Sequence, residues 1–157
     1  MNSLIEIIFR GVLPSINLDF LKGVFLKAKE LYFNSPEISS VNTFDEAVEI
    51  INSNAYIDLA INTDELSIYG KNVPKVFINL GRNNDEIEIL FFFDLKDLCE
   101  PSIKESIDFL EKWALEFKNE HKFDYFICQT DNANKEEYYF DSHGKGKLYD
   151  RISSLPY

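Results

Sequence analysis

Residues 86–93 read Glu-Ile-Glu-Ile-Leu-Phe-Phe-Phe, and the period of this stretch decides the fold class. Ile87, Ile89, Phe91 and Phe93 fall on one face of a strand, with Glu86 and Glu88 opposite. Leu90 and Phe92 share the glutamates' side, so the strand starts half exposed and ends apolar on both faces. That pattern predicts a central strand buried on both sides at its far end. Upstream, Val76, Ile78 and Leu80 alternate with Lys75, Phe77 and Asn79, which predicts a second strand. Residues 55–61 and 66–69 give two more, divided by Asn62-Thr63-Asp64 and followed by a turn over 70–74. Connections this short favour antiparallel neighbours, because parallel pairs need a long crossover.

Helical spacing flanks this block. Leu18, Leu21, Val24, Phe25, Ala28, Leu31 and Tyr32 recur at three and four residues, predicting a helix over 18–33 that Asn34-Ser35-Pro36 ends. Thr43 with Glu46 forms a capping box before a short helix, and Ser102 with Glu105 forms a second. Ile103, Ile107, Leu110, Ala114 and Phe117 extend the latter into a helix over 103–119. Further strands are expected at 4–9, at 123–128 and around Tyr138, Tyr139 and Phe140, with a loop or short strand from Gly144. No repeat, linker or composition break divides the chain. The expectation is one α+β domain over 1–157, with a mainly antiparallel sheet of about six to seven strands and two main helices on one face.

The chain of 157 residues carries 16 Lys+Arg against 27 Asp+Glu, a formal net charge of -11, and 45% hydrophobic residues. The apolar fraction is enough for a core. The charge argues against direct binding of nucleic acid, which requires neutralising phosphates, and against docking on an anionic membrane. Arg10, Arg82 and Arg151 are the only arginines, which removes the usual bidentate readers of phosphate. No apolar run approaches the roughly 20 residues of a membrane span, and no basic leader precedes the first apolar run, so the expected compartment is the cytoplasm. Cys99 and Cys128 make no disulfide framework, and Cys128 reads as a buried small hydrophobe.

Catalytic signals are weak. Asp141-Ser142-His143 is the most site-like cluster, yet a metal site needs three or four ligands and His121 is far away in sequence. Asp94, Asp97 and Glu100 follow the strongest strand, but acids there also suit the N-terminus of the next helix. Gly144-Lys145-Gly146-Lys147 lacks the spacing and the strand–helix context of a phosphate loop. No catalytic residue, cofactor or metal is expected.

The remaining signal is aromatic and acidic residues together. Tyr is favoured at interfaces because one end is apolar and the other wet. Expected partner-binding residues are Glu86, Glu88, Asp124, Glu136, Glu137, Tyr138, Tyr139 and Asp141, on a sheet face exposed to solvent. Size, acidity and missing catalysis together point to a non-enzymatic acidic binding protein, of the immunity or antitoxin type, that neutralises a basic protein such as a toxin or nuclease. Two alternatives remain at this stage. One is a small hydrolase built on Asp141, His143 and the 94–100 carboxylates. The other is an acidic mimic of nucleic acid.

Overall fold

The structure, a computed structural model, describes residues 3–130, 137–152 and 157. The turn expected at 131–134 and the candidate Glu136 lie outside the described residues. At the middle of the main sheet β7 (Glu86–Asp94) pairs with β1 (Leu4–Val12) on one side and β6 (Val76–Asn83) on the other. Beyond β6 come β3 (Tyr56–Thr63) and the edge strand β2 (Ala28–Ser35). Beyond β1 come β8 (Tyr125–Thr130), β9 (Tyr138–Asp141) and β10 (Gly144–Lys145). These eight strands form one sheet of order β10-β9-β8-β1-β7-β6-β3-β2, and every pairing is antiparallel. A separate hairpin joins β4 (Leu66–Ile68) to β5 (Lys71–Val73). The helices are α1 (Phe20–Lys27), α2 (Phe44–Ser53), α3 (Ile103–His121) and α4 (Lys147–Arg151). No described helix is long and apolar enough to cross a membrane.

The expected class, α+β with a mainly antiparallel sheet, holds, but the strand count does not: the described residues form ten strands, eight of them in the main sheet, against the six to seven expected. The expected helix 18–33 is corrected as well. It stops at Lys27, and the chain continues as β2 along β3. Ala28, Leu31 and Tyr32 fit a helical stripe by spacing alone. In the strand, Leu31 and Phe33 point inward, Phe33 at 2% exposure, while Tyr32 and Asn34 point out. Ladder bonds and the burial of Phe33 outweigh a helical period of a few positions. The 70–74 turn likewise holds the short strand β5. Among the described residues α3 is therefore the single long helix, and the two-helix layer becomes α3 with the shorter α1 and α2.

The N-cap half of both capping boxes forms. Thr43 Oγ1 accepts from the Glu46 amide at 3.1 Å, and Ser102 Oγ accepts from the Glu105 amide at 3.2 Å. The core lies between α3 and the face carrying Phe9, Ile89, Phe91, Leu80 and Leu59, all 1% exposed or less. Trp113 meets Phe9 and Phe91 edge-on, each at 5.7 Å between ring centroids, and Phe117 lies 4.6 Å from Phe9. α1 joins the same side through Phe20, 5.0 Å from Phe117. Phe126 and Cys128 of β8 extend this face, and burial pushes the Cys128 thiol well above its ordinary value.

Candidate functional site

The strand register assigns the alternate residues to the opposite face of the sheet, away from α3. They align in cross-strand rows. One row runs Asp58, Gly81, Glu88, Arg10, Tyr125. The next runs Ala60, Asn79, Leu90, Ile8, Ile127, Asp141. A third runs Asn62, Phe77, Phe92, Glu6, Gln129, Tyr138. A short one holds Tyr56, Asn83, Glu86 and Val12. The side-chain hydrogen bonds on this face run from strand to strand. Arg10 Nε donates to Glu88 Oε2 at 3.0 Å, Asn79 Nδ2 to Asp58 Oδ1 at 2.6 Å, and Gln129 Nε2 to Glu6 Oε1 at 2.7 Å.

Leu90 and Phe92 correct a second expectation. They are half-buried on this face, which no described helix covers, with Phe77 and Ile127 beside them, rather than sealed under a second layer. The result is an apolar centre at Ile8, Leu90, Phe92, Phe77 and Ile127, bordered by Glu6, Asp58, Glu86, Glu88 and Asp141 with Arg10. An apolar middle inside a polar rim is the anatomy of a protein-binding surface. At one end of the face lies a concavity of about 670 Å³, whose lining includes Arg10, Asn79, Gly81, Glu86, Glu88 and Asp124.

The expected partner residues divide accordingly. Glu86, Glu88 and Asp124 are exposed and line the same concavity. Tyr138 and Asp141 lie on the same face at its β9 edge. Glu137 is engaged by Arg151, with Nη1 to Oε1 at 3.1 Å, an ion pair that ties α4 to the start of β9. Tyr139 is a correction. It is 1% exposed and belongs to the core, because a register shift at Cys128/Gln129 breaks the alternation and turns both Tyr139 and Phe140 inward. The sequence reading missed Gly81, Asn79 and Arg10. Gly81 opens the polar run 81–85, which the sequence reads as a loop; the structure instead carries β6 through it to Asn83, and only a glycine inside a strand marks a place where another group approaches the backbone.

The hydrolase reading gains no geometry. Asp141 Oδ1 accepts from the His143 amide at 2.8 Å, a local turn, and neither residue lines this concavity or those of about 310 and 560 Å³ elsewhere. Asp94 caps the 3-10 turn Leu95–Leu98 through the Lys96 amide, and Glu100 pairs with Lys71 at 2.7 Å. Among the described residues, no three His, Cys, Asp or Glu side chains converge as metal ligands. The mimic reading is weakened because apolar residues interrupt the carboxylates along β7 and β1.

The family model described as PABL017 Cdi1I immunity protein matches residues 3–154. The chain belongs to that family. The immunity-type, toxin-neutralising function expected from charge, size and absent catalytic motifs is thereby borne out. A chain in the crystal structure described as the toxic C-terminal tip of CdiA from Pseudomonas aeruginosa in complex with immune protein shares this fold. The TM-score is 0.69 at 20% identity, covering 94% of this chain and 99% of that one. No match is found among curated proteins.

Proposed function

We propose that this Cdi1I-family protein neutralises a toxin tip of the CdiA kind in the cytoplasm by docking it on the open face of the sheet, and that the toxin surface it meets is basic. The carrying observation is the face that the described helices leave open: an apolar centre across β1, β6, β7 and β8, bordered by carboxylates. Burying that centre supplies the affinity, and the acidic rim steers a cationic partner and fixes its register. The chain's net charge of -11 acts in the same direction at longer range.

Protection of growing cells is the direct test. Cells expressing a CdiA-type toxin tip that this chain neutralises should be rescued by the unmodified protein. Leu90→Arg and Glu6→Lys, both on the open face, should abolish rescue while keeping the folded circular-dichroism signal. Leu115→Arg, at a half-exposed position on the solvent side of α3, should protect fully. Folded open-face variants that still protect would overturn this choice of surface.

A further inference from the structure

The row Asp58, Gly81, Glu88, Arg10, Tyr125 contains one missing side chain. A Cβ built on Gly81 would meet only the Ile57 carbonyl oxygen, at 3.9 Å, so the space above this glycine is open. It forms part of the 670 Å³ concavity. The register sets a carboxylate on either side of Gly81, Asp58 on β3 and Glu88 on β7; Glu88 lines the concavity, and Asp58 lies just outside its lining. Their Cα atoms are two strand spacings apart, about 9.5 Å.

Both carboxylates are already held. Asn79 donates to Asp58 Oδ1 at 2.6 Å and Asn34 donates to Oδ2 at 3.4 Å. Arg10 holds Glu88 Oε2, and the Tyr125 ring in turn steadies the Arg10 guanidinium, 5.8 Å from its centroid. Among the described residues, Glu88 Oε1 accepts no hydrogen bond. Each carboxylate oxygen can accept two hydrogen bonds, so capacity remains on both walls. The floor is bare backbone, and the next row sets Asn79 in the lining with Leu90 paired beside it, an apolar neighbour for an alkyl stem that leaves the concavity on that side.

We infer that the cleft over Gly81 is a socket for one arginine side chain of the toxin, which enters between Asp58 and Glu88 and donates to both. This deepens the open-face reading and rests on it. Arginine fits better than lysine for a geometric reason. A planar guanidinium has donors on opposite edges and lies flat on a glycine, whereas an ammonium is a point charge with a tight hydration shell. Because Asn79 and Arg10 fix the walls beforehand, little side-chain freedom is lost on binding.

The test uses N-acetyl-arginine amide as the probe, titrated into the full chain and followed by amide NMR. The Gly81 amide and its neighbours on β3 and β7 should shift saturably. N-acetyl-citrulline amide, nearly the same shape without the charge, should leave them in place, and N-acetyl-lysine amide should shift them several-fold less. Gly81→Val fills the cleft and Glu88→Gln removes one wall's charge. Either should abolish the arginine response in a protein whose spectrum stays dispersed, and Gly81→Ala, the smaller fill, should reduce it. Against the toxin, Gly81→Val should weaken affinity by at least ~30-fold, the range of an interface hot spot. Equal shifts with citrulline, or full toxin affinity in folded Gly81→Val, overturn the socket. If Leu90→Arg still abolishes toxin binding in that case, the open face stands without it. If Leu90→Arg also binds normally, both readings fall.

Discussion

Lys145 Nζ on β10 lies 2.8 Å from Asp108 Oδ1 on α3, which fastens the last strand of the sheet to the long helix. Glu111 Oε1 is 2.9 Å from the same ammonium, and the Tyr149 ring lies 4.3 Å beneath it. Burial pushes the Asp108 carboxyl up, but hydrogen bonds from Lys145 and Tyr149, with the charges of Lys145 and Lys104, outweigh this and hold it below its ordinary value. A carboxyl depressed by folding contributes stability above its unfolded pKa and loses it as pH falls through the folded one. Lys145→Ala should therefore cost about 1 kcal/mol in urea unfolding at neutral pH, the upper range for a partly exposed pair. The difference from the unmodified protein should shrink as pH falls below 3.8, the ordinary value of the Asp108 carboxyl.

Gly146 marks the other constraint on this segment. A Cβ there would overlap the carbonyl oxygen and ring of Tyr138, so the close approach of the chain to β9 requires glycine. Gly146→Ala should lower stability by about 1–3 kcal/mol, the usual cost of overpacking. Gly81→Ala, facing open space, should be neutral or slightly stabilising. Thermal unfolding of the two variants side by side checks the contrast.

The same pair shows how far the sequence could be read. Both glycines were visible, but only the register tells that one abuts Tyr138 and the other opens a cleft. Period-two alternation located β3, β6 and β7, and capping residues located α2 and α3, because those signals are local. The errors lie where local signals conflict with tertiary ones. Ala28, Leu31 and Tyr32 match a helix, and pairing with β3 overrides them. The sequence reading sets both Tyr138 and Tyr139 outward, although neighbours in a strand face opposite ways, and the shift in β8–β9 pairing leaves Tyr139 and Phe140 together inside. Leu90 and Phe92 look like residues for a second layer, although the structure leaves them as the centre of an open face. The acids of the site were legible as charges, but their grouping around Gly81 depends on the register of β3, β6 and β7 and on the pairing of β7 with the remote β1.

His121, at the end of α3, is enclosed by Phe117 at 4.5 Å and Phe20 at 4.9 Å, and its Nδ1 has no partner among the described residues. Burial lowers its pKa, against the raising effects of Glu120, the Asn17 backbone and Asp19. A histidine whose folded pKa lies below the unfolded 6.5 must be neutral to stay buried. Its stability contribution is full above pH 6.5 and declines as pH falls below it. The urea midpoint should drop between about pH 7.5 and pH 5.5, a window in which unperturbed carboxylates do not titrate. His121→Phe should flatten that drop.

Tyr138 and Tyr139 are adjacent but face different tasks. Tyr139→Ala removes a side chain 1% exposed and should cost about 3–5 kcal/mol, as for other large aromatic deletions in cores. Tyr138→Ala removes a half-buried ring on the open face and should change stability by about 1 kcal/mol or less while weakening toxin binding. Calorimetric unfolding and titration with the toxin separate the two effects. Loss of both properties in both variants would place the two rings in one structural unit and remove Tyr138 from the docking surface.

Glu86 and Glu88 alternate along β7 and should differ kinetically. Glu86 is exposed beside Asn83 and Val12 at the rim of the concavity. Glu86→Lys therefore changes steering more than contacts, and its toxin association rate should fall about threefold to tenfold at low salt. The deficit should disappear as ionic strength approaches about 1 M, where the screening length is about 3 Å. Glu88→Lys also breaks the 3.0 Å bond to Arg10 and sets two cations side by side next to Gly81. Its dissociation rate should rise as well, and that part of the loss should persist in high salt. Stopped-flow association and dissociation across a salt series distinguishes a rim charge from one held inside the contact.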